Sequence, residues 1–224
     1  TSPVISVNRE NCNNPVTVGQ PIPGLQIRLG DIEELQVKGP TVMKGYWKRP
    51  DATAEVFTED GWFRTGDQAD LSDAGRIRIK GRIKEIIVTS TGEKIPPTDM
   101  ELAIQTDPLF EQVMVVGEAR PFITALAVVN EAEWEKFAKE FNVDPSDDRM
   151  LMRRDIRMAA LKRLKKAASR FPQYGIPRNI RLLKEHWTVD NGCLTVTMKL
   201  RRPIIREKLR AEIDELYTVP QNNV

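Results

Sequence analysis

The eight residues Asp60-Gly61-Trp62-Phe63-Arg64-Thr65-Gly66-Asp67 combine two large aromatics, a base and a Thr-Gly-Asp turn. An ionised carboxylate at Asp67 accepts only, and it can take both hydroxyls of a ribose while Gly66 permits close backbone approach. The same stretch equally suits an Asx turn that joins two strands. A second charged group, Gly81-Arg82-Ile83-Lys84-Glu85, sits where the texture of the chain changes. Such a boundary can be a hinge with a ligand between two bodies, or a solvated linker whose Arg-Glu pair is worth about 0–1 kcal/mol. The third stretch runs from Asn191 to Arg202: a tight turn, an alternating segment and Lys199 at its tip, ahead of a helix whose start is fixed by Pro203. A lysine delivered in this way suits a carboxylate or α-phosphate that gains negative charge in a transition state. Standing alone, it reads as surface decoration.

Other chemistries are removed by composition. Cys12 and Cys193 are isolated and His186 is the only histidine among 224 residues, so no zinc cluster is expected and no metal ligands are assigned. Cys193 reads as packing and His186 as structural, since nothing near either has the form of a nucleophile elbow. Lysine, arginine and carboxylates must therefore carry any catalysis. Lys+Arg 34 against Asp+Glu 32 leaves a net charge of +2, too balanced to announce a nucleic-acid or anionic-membrane partner. No apolar run approaches the ~20 residues of a membrane helix, and the first residues lack the pattern of a signal peptide, so the expectation is a soluble, cytoplasmic chain without a transmembrane segment.

The elements that must position these residues fall into two textures. Up to Lys80 short strands alternate with turns: Gln26 to Leu29, Glu34 to Val37 and Ile77 to Lys80 are alternating or β-branched, as in a small β-barrel or sandwich. One short helix interrupts them at Pro50 to Phe57, with Asp51 placed to cap it. From Gly81 an α+β pattern begins. Glu85 to Val88 and Lys94 to Ile95 form a hairpin around Thr89 to Glu93, and Asp99 caps a helix through Ile104. Val113 to Val116 and Thr124 to Val129 read as central strands, and Glu131 to Phe141 and Arg153 to Arg170 as helices. Leu182-Leu183, a turn at Asp190 to Gly192, a short strand, a helix from Pro203 to Tyr217 and a polar tail complete the chain. The expected fold class is α+β: a β-barrel-like subdomain over 1–80, then a small α+β domain over 81–224 with a hinge near 82–85.

Arg153 to Arg170 holds eight basic side chains and one acid, Asp155. Ile156, Ala160, Leu164, Ala167 and Phe171 follow helical spacing and define an inward face, so the segment reads as a docked amphipathic helix. Without interleaved aromatics it offers no stacking platform for bases. An interaction module that uses this helix on nucleic acid or a membrane is the alternative from a different functional class.

Four motifs in series carry a resemblance. Lys38-Gly39-Pro40-Thr41-Val42-Met43-Lys44-Gly45-Tyr46-Trp47 precedes Asp60 to Asp67; Gly81-Arg82, Gly92, Ile95 and Pro97 follow with Asp99 and Glu101; Leu194-Thr195-x-Thr197-x-Lys199 closes the series. Their order and content resemble the adenylate-forming superfamily of acyl-CoA synthetases, acyl-adenylate ligases, luciferases and peptide-synthetase adenylation domains, and the lysine motif is most similar to that of long-chain acyl-CoA synthetases. The resemblance implies a ligase that forms acyl-AMP from a fatty acid and ATP and then acyl-CoA from CoA, its small C-terminal domain rotating between steps. It implies that Asp67 holds the ribose hydroxyls, Arg82 binds the nucleotide, Lys84 is the hinge residue, Gly92 lies along the CoA channel and Lys199 is catalytic. Val88 stands where many relatives carry a lysine, so that lysine's contacts are not carried over.

Thr1-Ser2-Pro3 is similar to the sequence that follows the family's Thr-Glu motif, whose Glu helps hold Mg²⁺. The Mg²⁺ ligand and the phosphate-binding loop are therefore expected upstream, and the fragment alone is expected neither to adenylate nor to bind ATP tightly. Peripheral membrane association through the fatty acid is compatible with this reading. An acyl-AMP ligase that loads a carrier protein is the alternative within the enzyme class.

Overall fold

The computed structural model describes residues 4–218. Thr1-Ser2-Pro3 and the tail from residue 219 lie outside the described residues. The chain divides into two compact units between Ile86 and Ile87. This division falls beyond the boundary at Lys80 and Gly81 expected from texture, because the last strand of the first unit runs on to Arg82 and pairs Gly81 with Gln68 and Arg82 with Asp67.

In the first unit, β1 (Ser6–Val7) and β2 (Gln20–Pro21) form a small antiparallel pair. β3 (Gln26–Leu29), β4 (Glu34–Lys38), β5 (Phe63–Asp70) and β6 (Arg78–Arg82) make an antiparallel sheet in that order. The expected barrel does not close: β3 and β6 are the two edges of an open four-stranded sheet. Its buried core is small, Leu35, Val37, Ala69 and Ile77, flanked by partly buried Ile5, Leu25, Ile27, Val42 and Leu71. The short helix α1 (Pro50–Glu55) starts with Pro50 in its first turn and Arg49 at the cap position. Asp51, expected to cap, sits inside that turn instead, because proline is pre-organised for the first helical position and sets the start.

The second unit opens with the hairpin of β7 (Ile87–Val88) and β8 (Lys94–Ile95), followed by α2 (Pro97–Ile104). Proline again decides the helix start, so Asp99 lies in the first turn and Pro96 takes the cap position. β9 (Phe110–Val116) and β10 (Thr124–Val129) are antiparallel neighbours, and β11 (Asn179–Leu183) joins the other side of β10 in parallel. Between them run α3 (Glu131–Glu140) and α4 (Arg154–Ala167); Asn130 caps α3 by accepting from the Glu133 amide at 3.2 Å. The sheet is covered on both faces. Val113, Val115, Ala125, Ala127, Ile180 and Leu182 pack with Met100, Ile104, Trp134, Ile156 and Leu164. Met114, Val116, Leu126 and Val128 pack on the opposite side with Trp187, Ile205, Ile213 and Leu216. A strand buried on both faces reads as a continuous apolar run, which is why Thr124 to Val129 shows no alternation.

The expected terminal helix is two helices, α5 (Arg202–Lys208) and α6 (Arg210–Thr218), broken at Leu209, whose backbone leaves helical geometry (φ −110, ψ 29). The basic helix docks as expected, with Ile156, Ala160, Leu161 and Leu164 buried. Ala168 is buried where Ala167 was expected to be. Several of its bases are engaged: Arg153 with Asp155 at 2.5 Å, Arg163 with Asp107 at 2.6 Å, Arg170 with Asp99 at 2.6 Å, and Arg157 with the Asn179 side chain at 2.7 Å. Among the described residues no helix is long and apolar enough to cross a membrane.

Candidate functional site

Thr65-Gly66-Asp67 is not a turn between strands but a bulge inside the single strand β5. The pairing register with β4 shifts between Glu34 and Gln36, where Glu34 lies opposite Gln68 and Gln36 opposite Arg64. Gly66 takes up the irregularity in the left-handed region (φ +73), and a Cβ there would meet no atom within 4 Å. Conformation, not space, thus explains the glycine. Side chains replace the lost ladder bonds: the Thr65 hydroxyl donates to the Leu35 carbonyl at 2.8 Å and accepts from the Asp67 amide at 3.1 Å, while the Gly66 amide donates to Glu34 Oε1 at 3.2 Å. Glu34 is buried and was not singled out in the sequence, where it reads only as the first residue of an alternating strand.

The bulge aims Asp67 at the neighbouring strand. Asp67 lies opposite Arg82 in the β5–β6 register, and Arg82 Nε donates to Asp67 Oδ1 at 2.7 Å. The Asp67 side chain is 26% exposed and that of Arg82 55%, so the pair is open to a ligand. A carboxylate has about four lone-pair sites, more than this contact uses, and a guanidinium holds five donors. The arrangement can therefore accept from hydroxyls and donate to phosphate or base atoms at one place. The rest of the motif is structural. Gly61 (φ +82) closes a turn in which the Thr58 amide donates to the Trp62 carbonyl at 2.8 Å, and Asp60 takes a two-pronged contact from Arg28 at 2.6 and 3.0 Å. The Arg28 guanidinium, with help from the Thr58 hydroxyl, holds the Asp60 carboxyl far below the usual carboxylate range.

Lys84 is exposed in a single 3-10 turn, Ile83–Glu85, that follows β6 and precedes the division between the units. Gly92 lies at the tip of the β7–β8 hairpin with φ +89 and open space around it. Its loop is tied by hydroxyls and one carboxylate: Glu93 accepts from Thr89 Oγ1 at 2.8 Å and from Thr91 Oγ1, and the Glu93 amide donates to Thr89 Oγ1 at 3.1 Å. The Thr91 bond first, then that of Thr89, holds the Glu93 carboxyl below its ordinary value.

Lys199 is exposed on a loop closed by an isolated bridge between Leu194 and Leu200. The Thr195 amide donates to the Lys199 carbonyl at 2.9 Å, the Met198 amide to the Thr195 carbonyl at 2.8 Å, and the Lys199 amide to Thr195 Oγ1 at 3.1 Å. Met198 holds the left-handed conformation (φ 60) that turns the chain into Lys199. The loop's base is buried through Cys193 and Leu194, so Cys193 packs as expected. His186 stands 3.2 Å from Glu111 on the surface. Within the first unit the fold brings Asp67 and Arg82 together; Gly92 and Lys199 lie on separate loops of the second.

A second omission of sequence reading lies below the Lys199 loop. Glu101, a buried residue noted there only as part of a motif, forms a two-pronged pair with the partly buried Arg202, Nη1 to Oε1 at 2.7 Å and Nη2 to Oε2 at 2.6 Å. No local pattern announces a contact across 101 residues. Among the described residues no three His, Cys, Asp or Glu side chains assemble a metal cradle.

Residues 84–220 match the AMP-binding enzyme C-terminal domain family. The long-chain-fatty-acid–CoA ligase FadD15 of Mycobacterium tuberculosis is 36% identical over 225 residues, covering 97% of this chain and 36% of that protein. The chloroplastic long-chain-fatty-acid–[acyl-carrier-protein] ligase AEE15 of Arabidopsis thaliana is 31% identical over 239 residues, covering 97% of this chain and 31% of that protein. Among solved structures, the adenylation domain of a carboxylate reductase from Mycobacterium chelonae superposes with a TM-score of 0.71 at 26% identity, over 88% of this chain and 32% of that one. The chain spans about a third of the length of the relatives it matches. The α+β architecture and the resemblance drawn from its motifs agree with these likenesses: the chain belongs to the AMP-binding enzyme C-terminal domain family of the adenylate-forming superfamily.

Proposed function

We propose that this chain serves as the carboxyl-terminal part of an ATP-dependent long-chain fatty acid–CoA ligase. The observation that carries the reading is the Asp67–Arg82 pair, an acceptor and a donor set side by side on adjacent strands by the Gly66 bulge. In this reading Asp67 receives the ribose hydroxyls of ATP and Arg82 contacts the nucleotide. ATP supplies the electrophilic α-phosphorus: a fatty acid carboxylate oxygen bonds to it as the bond to pyrophosphate breaks. Lys199 bridges the carboxylate and the α-phosphate, where negative charge grows, and a preorganised cation at such a point lowers the barrier. In the second step the CoA sulfur bonds to the acyl carbon as AMP leaves and the thiol proton is released. Gly92 lies along the pantetheine channel, and Lys84 is the pivot about which the domain of residues 81–224 turns between steps, residues 1–80 being the end of the large domain.

Support for CoA as acceptor comes from FadD15, a CoA ligase at 36% identity; the carrier-protein alternative rests on a relative at 31%. Mg²⁺ accompanies ATP in this reading, held by residues other than those described. Cytoplasmic location, association with membranes only through the fatty acid, and inactivity of this chain by itself belong to the same proposal. The test is the intact ligase with Lys199→Ala. Adenylation, read as pyrophosphate release, should fall by about 10²–10³-fold, while thioester formation from supplied acyl-AMP continues. Equal loss of both half-reactions refutes the role of Lys199. Lys84→Pro should instead uncouple the two halves, and wild-type rates for both would remove the pivot.

A further inference from the structure

We propose that the Glu101–Arg202 pair is a positioning device that fixes the Lys199 loop to the helix behind the Gly92 hairpin. The inference rests on the ligase reading for the catalytic role of Lys199. Its geometric half stands on contacts within the second unit. Glu101 lies on α2, four residues after Pro97 ends the hairpin's second arm, and Arg202 is the first residue of α5, three residues after Lys199.

The side chains of the two residues are 7% and 17% exposed. Both carboxylate oxygens are engaged by the guanidinium, at 2.7 and 2.6 Å. Oε1 also accepts from the Val115 amide at 2.8 Å, so the carboxylate ties α2, the edge strand β9 and the start of α5. A buried pair of this kind is weak evidence for stability, because the desolvation of both charges offsets their attraction. It is strong evidence for a fixed geometry, since two parallel contacts from a planar fork set the orientation of the guanidinium as well as its distance.

The fixed end of the fork reaches Lys199 through short, hydrogen-bonded chain. The Arg201 amide donates to the Cys193 carbonyl at 2.8 Å, closing the base of the loop one residue before Arg202. Above it the Leu194–Leu200 bridge and the Thr195–Lys199 bond carry the geometry to the tip. Val196 and Met198 at that tip are 86% and 68% exposed, so among the described residues of the unit none packs over these two side chains to hold the loop from above. Position must be imposed from the base.

The variant Arg202→Lys keeps the charge and loses the fork. In the intact ligase it should slow adenylation by about 10-fold to 100-fold, the range for a small misplacement of a catalytic group. Thioester formation from supplied acyl-AMP should stay near wild type. Amide exchange at Thr195, Met198 and Lys199 should quicken while β9 and β10 stay protected, a pattern that general loss of stability does not give. Glu101→Gln, which keeps an acceptor for the Val115 amide, should repeat both signatures and serves if Arg202→Lys does not fold. Adenylation that survives Lys199→Ala overturns the functional reading and with it the catalytic half of this inference. Adenylation lost in Lys199→Ala but unchanged in Arg202→Lys and Glu101→Gln, or lost there equally in both half-reactions, overturns the anchor alone. Loop exchange unchanged in both variants overturns its geometric half.

Discussion

The two units hold their candidate residues by opposite means. In the first, Asp67 and Arg82 ride on an open sheet whose buried core is Leu35, Val37, Ala69 and Ile77, and their geometry is set by a left-handed glycine, a threonine hydroxyl and the buried carboxylate of Glu34. In the second, the Lys199 loop stands on a three-stranded sheet covered on both faces, with its base buried among Leu194, Ile205 and Leu216. A site held by a few polar bonds is lost one bond at a time, whereas a loop seated on a core and aimed by one polar fork loses its position with the fork and its fold with the core. Sensitivity to mutation should therefore differ in kind between the units.

The largest expected effect exploits that difference. Leu126 and Val37 are both fully buried, one in each unit. Leu126→Ala should destabilise the second unit by about 2–5 kcal/mol, the usual range for such truncations in a dense core. Val37→Ala removes less from a thinner core and should cost about 1–2 kcal/mol in the first unit, at about 0.8 kcal/mol per buried methylene-sized group. Hydrogen exchange resolved by strand separates the two, reading β9 to β11 in one case and β4 to β6 in the other. Equal costs would break the comparison.

A middle-sized effect sharpens it. Gly66 and Gly92 have the same backbone problem, φ +73 and +89 with open space around each. Alanine at either should add about 1–2 kcal/mol of strain, since only the left-handed backbone and no clash opposes it. The consequences should part. Gly66→Ala should weaken AMP binding by the intact ligase about 5-fold to 30-fold, the factor that such a free energy represents, and leave thioester formation from bound acyl-AMP unchanged. Gly92→Ala should spare AMP binding and slow the thioester step. Loss of AMP binding in both, measured by calorimetry, would mean that the two glycines do not serve separate tasks.

What the sequence made legible follows the same divide. Gln26–Leu29, alternating in sequence, and Thr124–Val129, a continuous apolar run buried on both faces, both form strands with the bounds that their patterns predict. Asp51 and Asp99 carry the sequence signal of a cap yet lie inside the first turn, because a neighbouring proline outranks a capping carboxylate. The break at Leu209 escaped because the apolar spacing continues through it. At the candidate site, residue types were legible and their supports were not. Thr-Gly-Asp announces itself as a motif, but the bulge exists only because β4 lies beside it and lends Glu34, 32 residues away. Glu101 and Arg202 are likewise a product of the fold rather than of spacing.

The smallest expected effect concerns a second place, besides the Glu101–Arg202 fork, where the second unit relies on polar bonds as the first does. The arms of the Gly92 hairpin join the core through Ile87 and Ile95, but its tip is tied by Thr89, Thr91 and Glu93, whose carboxyl is depressed below the ordinary glutamate value of 4.5, chiefly by the Thr91 hydroxyl and then by that of Thr89. A depressed carboxyl favours the folded loop fully above the unfolded value and loses that contribution as pH falls through the folded one. Protection of the Thr89, Gly92 and Glu93 amides, which close the loop, should therefore decline with acid below pH 4.5 while that of β10 does not. Because Glu93 is only partly buried, at the tip of a hairpin, the change should be confined to the loop and leave global unfolding untouched. Thr91→Val keeps the shape and removes the donor, so the Glu93 carboxyl signal should titrate closer to 4.5 in that variant when followed by NMR. A Glu93 midpoint that ignores the substitution would mean that the hairpin is held by its packing after all, and the contrast between polar and packed supports would then coincide with the boundary between the units.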